Sequence, residues 1–348
     1  MNFNQYSSIQ KKNIDIYLHD YISQFKELTT NKLLFATSVL DQIDEFVVRG
    51  KSIRGILTIL SAEMFNNKND NSHLEAAGAI ELIHSSLLIH DDIMDNDVLR
   101  RGKPSIFSQY IPLAKEHGIN SPYFSQSMGI SVGNCALLLG VQLLNKLRNY
   151  ELTNYILQEI AKTNIAQMND VFVGEKNNIA SEEEIMEIYR YKTARYTFSL
   201  PLVVGAMLTK KGEEIKENLS DIGEYIGILF QLQDDNIGLY SNLIQAGKQI
   251  GSDIINNKKT LLRFYLKQSV SEKERKELDA IYGNKNLNKE QILIVQSLCK
   301  KYFIDKQIEK KKNELKISAE KIIDTLTIKK IYKQLLLELV DFVFSRSK

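Results

Sequence analysis

Three aspartates, Asp91, Asp92 and Asp95, fall within the segment HSSLLIHDDIMDNDVLRRGKP that runs from His84 to Pro104. On a helix, Asp91 and Asp95 share a face, and Asp92 sits beside them. Carboxylates held this close repel one another, more strongly on a packed surface than in water. The flanks are apolar, with Leu87, Leu88 and Ile89 before and Ile93 and Met94 within, so this is not a solvated face. Such a set points to a cation. Oxygen donors without cysteine or an ordered histidine set select a hard ion, Mg²⁺ or Mn²⁺, shared with substrate phosphate. His84 lies two turns before Asp91 on the same face, and Arg100 and Arg101 follow just past the helix end. Carboxylates for the metal and guanidiniums for phosphate oxygens are what a metal-bridged diphosphate needs.

A second acidic pair, Asp234 and Asp235, sits in FQLQDDNIG, with Phe230 and Gln231 just before it. A buried Asp–Asp pair is costly without a cation, and a second carboxylate face can close a metal cluster against the first. A loop with Gly247, Lys248, Gly251 and Asp253, then Lys258, Lys259 and Thr260, follows within reach of a phosphate. Gly50-Lys51-Ser-Ile-Arg54-Gly55 places two cations three residues apart at a helix start, where backbone N–H groups also favour anions. Lys192 and Thr193 lie on one expected helix, and Gln167 and Asp170 on another. Taken singly, the Gly50–Gly55 element is as well explained by structure as by function, and Lys192, Thr193, Gln167 and Asp170 are better explained by structure.

The elements that must position these groups read as helices. Ile80, Ile83, Leu87, Leu88 and Ile93 form a helical stripe, and 182–208 and 213–240 read as long helices. No alternating Val/Ile/Thr run bounded by turn pairs predicts a sheet. Breaks are expected at 49–50, 66–72, 96–103, 176–181, 210–212 and 245–257, with Ser181 capping the acidic turn Glu182–Glu184. The lysine-rich stretch near the C-terminus reads as a solvated helix face, and 334–344 as a buried or amphipathic helix. With 348 residues, 43% of them hydrophobic, the chain is long enough for one large core or two smaller ones. No linker divides it, so one all-α domain over 1–348 is expected.

Net charge is +2, from 45 basic and 43 acidic residues. That balance argues against nucleic acid or an anionic membrane as the main partner. Cys135 and Cys299 are too few for a disulfide framework, fit a reducing cytoplasm and read as small core residues. No leader and no membrane span are expected, because no strongly apolar, charge-free window of about twenty residues stands out.

In this order the motifs resemble the trans-type polyprenyl (isoprenyl) diphosphate synthases over roughly 45–262. GKSIRG is similar to the family's GGKRxRP, HSSLLIHDDIMDNDVLRRGKPS to its first aspartate-rich region, QMND to GQxxD, and YKTA to its KT motif. FQLQDDNIG with GKQIGSDI and NKKTLL resembles the second aspartate-rich region and its loop. The resemblance implies a large helical bundle of the isoprenoid synthase type with a central cavity, cytoplasmic and homodimeric. It implies a Mg²⁺-dependent prenyltransferase joining isopentenyl diphosphate to an allylic diphosphate. Asp91, Asp92, Asp95 and Asp234 would then hold the metal ions, with Asp235 close by. Arg100, Lys192 and Lys248 would bind the allylic diphosphate, and Lys51, Arg54, His84 and Arg101 that of isopentenyl diphosphate. Thr193 and Gln231 would support the cation with their dipoles, and Phe230 would pack near the homoallylic substrate.

The chain departs from the family pattern at Gly55, where Pro is usual, and at Ser52, Phe107, Asn134, Ser241, Asn242 and Gly238. Ser86, small and five residues before Asp91, leaves a deep floor, so geranylgeranyl diphosphate is the expected product. Farnesyl or longer products are the alternatives. Other readings on the same architecture are a partner subunit of a heteromeric synthase and a terpene cyclase or head-to-head condensing enzyme.

Overall fold

The structure, a computed structural model, describes residues 1–29, 33–65, 71–175, 180–209, 212–240 and 251–346. Two compact units emerge, Met1–Asn154 with Pro201–Glu214, and Tyr155–Leu200 with Ile215–Lys348.

The first unit holds α1 (Phe3–Thr29), α2 (Ala36–Val48), α3 (Ile53–Met64), α4 (Ser72–Met94), α5 (Tyr110–Glu116), α6 (Phe124–Lys146) and most of α9 (Leu200–Met207). Its centre is α4, buried nearly all round from Ala76 to Ile83, as expected of a helix that is apolar on every face. Helices α1, α3 and α6 pack on it. Helix α9 docks on α3, where Ser61 Oγ donates to the Leu202 carbonyl at 2.5 Å. The acidic end of α4 runs into a two-residue hairpin, β1 (Leu99–Arg100) with β2 (Lys103–Pro104), the one sheet among the described residues.

The second unit holds all but the start of α7 (Tyr150–Glu175), then α8 (Glu182–Ile188), α10 (Lys216–Tyr240) and six further helices, α11 (Ser252–Ile255), α12 (Leu261–Ser269), α13 (Glu272–Ile281), α14 (Lys289–Lys301), α15 (Ile304–Thr325) and α16 (Lys330–Ser345). Ser181 caps α8 through a full capping box with Glu184. The long helix expected over 182–208 is interrupted by a wide π-helical stretch at Tyr189–Ser199. Helix α10 crosses this stretch closely at Gly227, where a Cβ would lie 2.3 Å from the Ala194 Cα, so a side chain there would force the two apart. Along α16, Leu335, Leu336, Leu339, Val340 and Val343 turn inward, as its spacing predicts.

Two expectations fail. Helix α6 carries no charge until its last residue, Lys146, and is long and apolar enough to cross a membrane by length and composition. Uncharged Ser, Gln, Asn and Gly residues dilute its apolar sequence without charging it, which hid this apolar window. In the structure Val132, Ala136, Leu139, Leu143 and Leu144 are buried, as in a core helix. Cys135 is exposed rather than in the core, while Cys299 is buried as expected. The break at 96–103 leads into the hairpin, and α4 starts at Ser72, the last residue of the break expected at 66–72. Of the breaks expected at 66–72, 176–181, 210–212 and 245–257, residues 66–70, 176–179, 210–211 and 245–250 lie outside the described residues, and Lys248 with them.

Candidate active site

In the first unit, the end of α4 sorts its aspartates by burial. Asp91 is half-buried, Asp92 is 1% exposed, and Asp95 sits just past the last helical residue. They are not three equal ligands on one face. Arg100, carried back by β1, donates from Nε to Asp92 Oδ1 at 2.6 Å and also reaches Asp91 at 3.5 Å. Burial pushes the Asp92 carboxyl up to about 6, against the downward pull of Arg100. Its second oxygen, Oδ2, is buried without a hydrogen-bond partner. An acid in this condition is stabilised by a further cation.

Two turns earlier lies His84, partly buried, with its pKa well below the usual imidazole value. Burial is the main cause, followed by Arg54, Arg101 and Arg100. The imidazole is therefore neutral, and three guanidiniums act on it. Arg54 comes from the first turn of α3 and Lys51 from just before it, past Ser52 at a left-handed φ of 49°. Arg101 occupies the two-residue hairpin turn with Gly102, both at positive φ, a geometry that normally selects Asn or Gly. This cluster is a ready cradle for a polyanion.

In the second unit, the π-helical stretch faces α10. Tyr189 O–H donates to Asp235 Oδ2 and accepts from the Leu261 amide at 2.9 Å. Gln231 Nε2 donates to Asp235 Oδ1 at 2.8 Å, and Thr193 Oγ1 donates to Gln231 Oε1 at 2.7 Å. Burial, reinforced by Asp253, pushes Asp235 up to about 7, although Tyr189 and Gln231 both hold its charged form. Gly238 leaves room for Asp253, whose Oδ2 lies 3.1 Å from where a Cβ would stand. Asp253 is carried to this point by α11, and the Gly251 amide there donates to the Gly238 carbonyl at 3.3 Å. Asp234 is half exposed and pairs with Arg346, whose guanidinium lies 3.8 Å from the Phe230 ring centre. Lys192 pairs with Asp170 at 2.5 Å.

Thr193 and Gln231, whose roles came from the resemblance alone, are thus bonded to each other, and Gln231 also bonds Asp235, one turn on. Phe107, one of the departures from the family pattern, is core: it is buried against α6 at Gly129. Sequence reading missed Glu81, Tyr189 and Arg346. Only the spacing of Tyr189 four residues before Thr193 offered a signal. Among the described residues, no three acid, imidazole or thiol groups converge to hold an ion by themselves. The donors still fit Mg²⁺, which binds through one or two carboxylates and completes its shell with water and phosphate oxygens.

Residues 37–299 match the family described as polyprenyl synthetase. The chain belongs to the polyprenyl synthetase family. It is therefore a prenyltransferase. It is 31% identical over 245 residues, 70% of each chain, to a short chain isoprenyl diphosphate synthase of Methanocaldococcus jannaschii. It is 26% identical over 310 residues to a geranylgeranyl diphosphate synthase of Saccharolobus solfataricus, covering 87% of this chain and 88% of that one. Its fold is similar to that of a geranylgeranyl pyrophosphate synthase from Corynebacterium glutamicum solved with isoprenyl diphosphate and magnesium, at a TM-score of 0.89 and 23% identity, over 99% and 100% of the two chains. The all-α isoprenyl synthase fold is thereby established.

Proposed function

We propose that this prenyltransferase condenses isopentenyl diphosphate with an allylic diphosphate to give a longer trans-polyprenyl diphosphate, geranylgeranyl diphosphate being the product that fits best. The observation that carries the reading is the partly buried, neutral His84 under the charges of Arg54, Arg101 and Arg100, two turns from the first aspartate pair. A cyclase or a head-to-head enzyme has no use for a separate homoallylic diphosphate cradle, whereas chain elongation requires one.

In this reading Asp91, Asp92, Asp95, Asp234 and Asp235 would hold Mg²⁺, with Mn²⁺ as a substitute. Bound metal supplies positive charge to the departing diphosphate. Arg100, Lys192 and Lys248 bind the allylic diphosphate, and Lys51, Arg54, His84 and Arg101 the homoallylic one. Neutral His84 donates a hydrogen bond there without adding to the repulsion among the guanidiniums. As the allylic C–O bond breaks, negative charge grows on the leaving diphosphate, and these fixed cations stabilise it in a water-poor site. Thr193 and Gln231, locked together, direct their dipoles toward the allylic cation, and Phe230 covers the incoming alkene. The alkene then attacks, and a proton leaves to the released diphosphate.

The product length rests on Ser86, which is buried on α4 and small. The family match runs through both compact units, which supports one catalytic domain over 1–348. Homodimerisation is supported by apolar side chains left exposed, Leu138 on α6 in one unit and Ile165 and Met168 on α7 in the other. Two cysteines without a disulfide fit work in the cytoplasm.

Purified protein should be incubated with Mg²⁺, isopentenyl diphosphate and each of the three short allylic diphosphates in turn, and the prenyl alcohols identified after phosphatase treatment. A linear twenty-carbon product that EDTA abolishes is expected. A folded sample that elongates no primer would overturn the reading in favour of a partner subunit, and a cyclic or squalene-like product would do so in favour of the other classes.

A further inference from the structure

One acid inside the first unit has no place in the aspartate motifs. Glu81 lies on α4, one turn before His84, and is 3% exposed. Its Oε1 accepts the Gly55 amide N–H at 2.8 Å, at the start of α3. A proline at 55 would have no N–H to give. A side chain there would also meet the Glu81 Cγ at 3.2 Å and the Ile14 Cδ1 at 2.8 Å. Glycine at 55 therefore allows an attachment between α3 and α4 that the family's usual proline excludes.

The surroundings of Glu81 are strongly basic. Burial raises its pKa, and Arg54 opposes this most, followed by the Gly55 amide, Arg101 and Lys11. From the other side, burial and then Arg100 make the Arg101 charge less favourable, and Glu81 is the strongest of the charges that support it. Arg101 is also held in a left-handed backbone conformation, and its guanidinium lies 3.0 Å from where a Cβ on Gly50 would stand. Two arginines from separate turns thus act on one buried carboxylate and weaken each other's charge. Like charges do not assemble in the interior without a counter-charge.

We propose that Glu81 is a positioning residue for the homoallylic diphosphate cradle: it ties the first turn of α3 to α4 through the Gly55 amide and supplies the buried negative charge that keeps Arg54 and Arg101 side by side. This rests on the reading of Arg54, His84 and Arg101 as ligands of isopentenyl diphosphate. Glu81 itself touches no substrate in this scheme. A diphosphate arriving at the cradle meets guanidiniums already gathered, so little of its binding energy is spent in collecting them.

The test is steady-state kinetics on Glu81→Gln, Glu81→Asp, Arg54→Gln and Arg101→Gln, varying each substrate separately. Glutamine keeps an acceptor for the Gly55 amide and removes the charge. Glu81→Gln should raise KM for isopentenyl diphosphate about tenfold or more, with KM for the allylic diphosphate and kcat changing far less. Glu81→Asp, which keeps the charge but reaches the Gly55 amide less well, should show a smaller rise, about threefold, in KM for isopentenyl diphosphate alone. A merely structural role would lower the thermal midpoint without splitting the two KM values. If Glu81→Gln does not fold, Glu81→Asp decides: a raised KM confined to isopentenyl diphosphate supports the proposal, and none overturns it. The arginine variants separate the two ideas. If they leave KM for isopentenyl diphosphate unchanged, the cradle itself is misassigned. If they raise it and a folded Glu81→Gln does not, Glu81 alone is misassigned.

Discussion

Replacing Arg346 with glutamine should tighten divalent-cation binding at the second aspartate region. The guanidinium is 9% exposed, pairs with Asp234 and lies over the Phe230 ring, while Gln233 Nε2 donates to its carbonyl at 2.6 Å. Burial lowers its pKa to about 10, so it is charged throughout the neutral range. A metal that takes Asp234 must first displace this internal cation. Asp234 is 45% exposed, so water screens the pair and its worth is about 1 kcal/mol. The ring contact adds about 0.5–1 kcal/mol. Together these come to about 2 kcal/mol, or roughly 30-fold in affinity. Glutamine keeps the backbone carbonyl bond and removes the charge. The assay is titration with Mn²⁺, counting free ion by electron paramagnetic resonance, with Mg²⁺ as competitor. Tighter binding of about 10- to 30-fold is expected, and the gain should vanish in the Asp234→Asn background. Unchanged or weaker binding in a folded Arg346→Gln protein would refute the displacement.

Asp92 should make stability fall with pH in metal-free protein. Its native pKa of about 6 lies above the unfolded value near 4. Between those values the native state binds the extra proton, so stability drops as pH rises through that window, by up to about 3 kcal/mol, and stays low above it. Urea titrations in EDTA at several pH values should show this slope flattened in Asp92→Asn. Tyr189→Phe removes the hydroxyl that serves both Asp235 and the buried Leu261 amide; a loss of about 2–4 kcal/mol is expected by urea denaturation. Ser86→Phe places a large ring at an interior position of α4 and should shorten the product from twenty carbons to fifteen, read by chromatography of the alcohols. An unchanged product would move the floor away from Ser86.

Apolar spacing and the ordered motifs determined much of this protein by themselves. Helical periodicity made the all-α class legible, because a period near four is imposed by local geometry whatever the helix packs against. Ser181 with Glu184 marked a helix start for the same local reason. Acid and base clusters named the chemistry, since three aspartates and two arginines so close in sequence must be close in space. What sequence could not decide was which member of each cluster turns inward. Asp92 rather than Asp91 is buried, and Asp235 rather than Asp234, because tertiary neighbours fix the rotation of α4 and α10. Nor could spacing reveal partners distant in the chain. Gly55 finds Glu81, Lys192 finds Asp170, Tyr189 finds Asp235, and Asp234 finds Arg346. Each pairing joins residues on different elements of the chain, and only the packing of those elements brings them within hydrogen-bond distance.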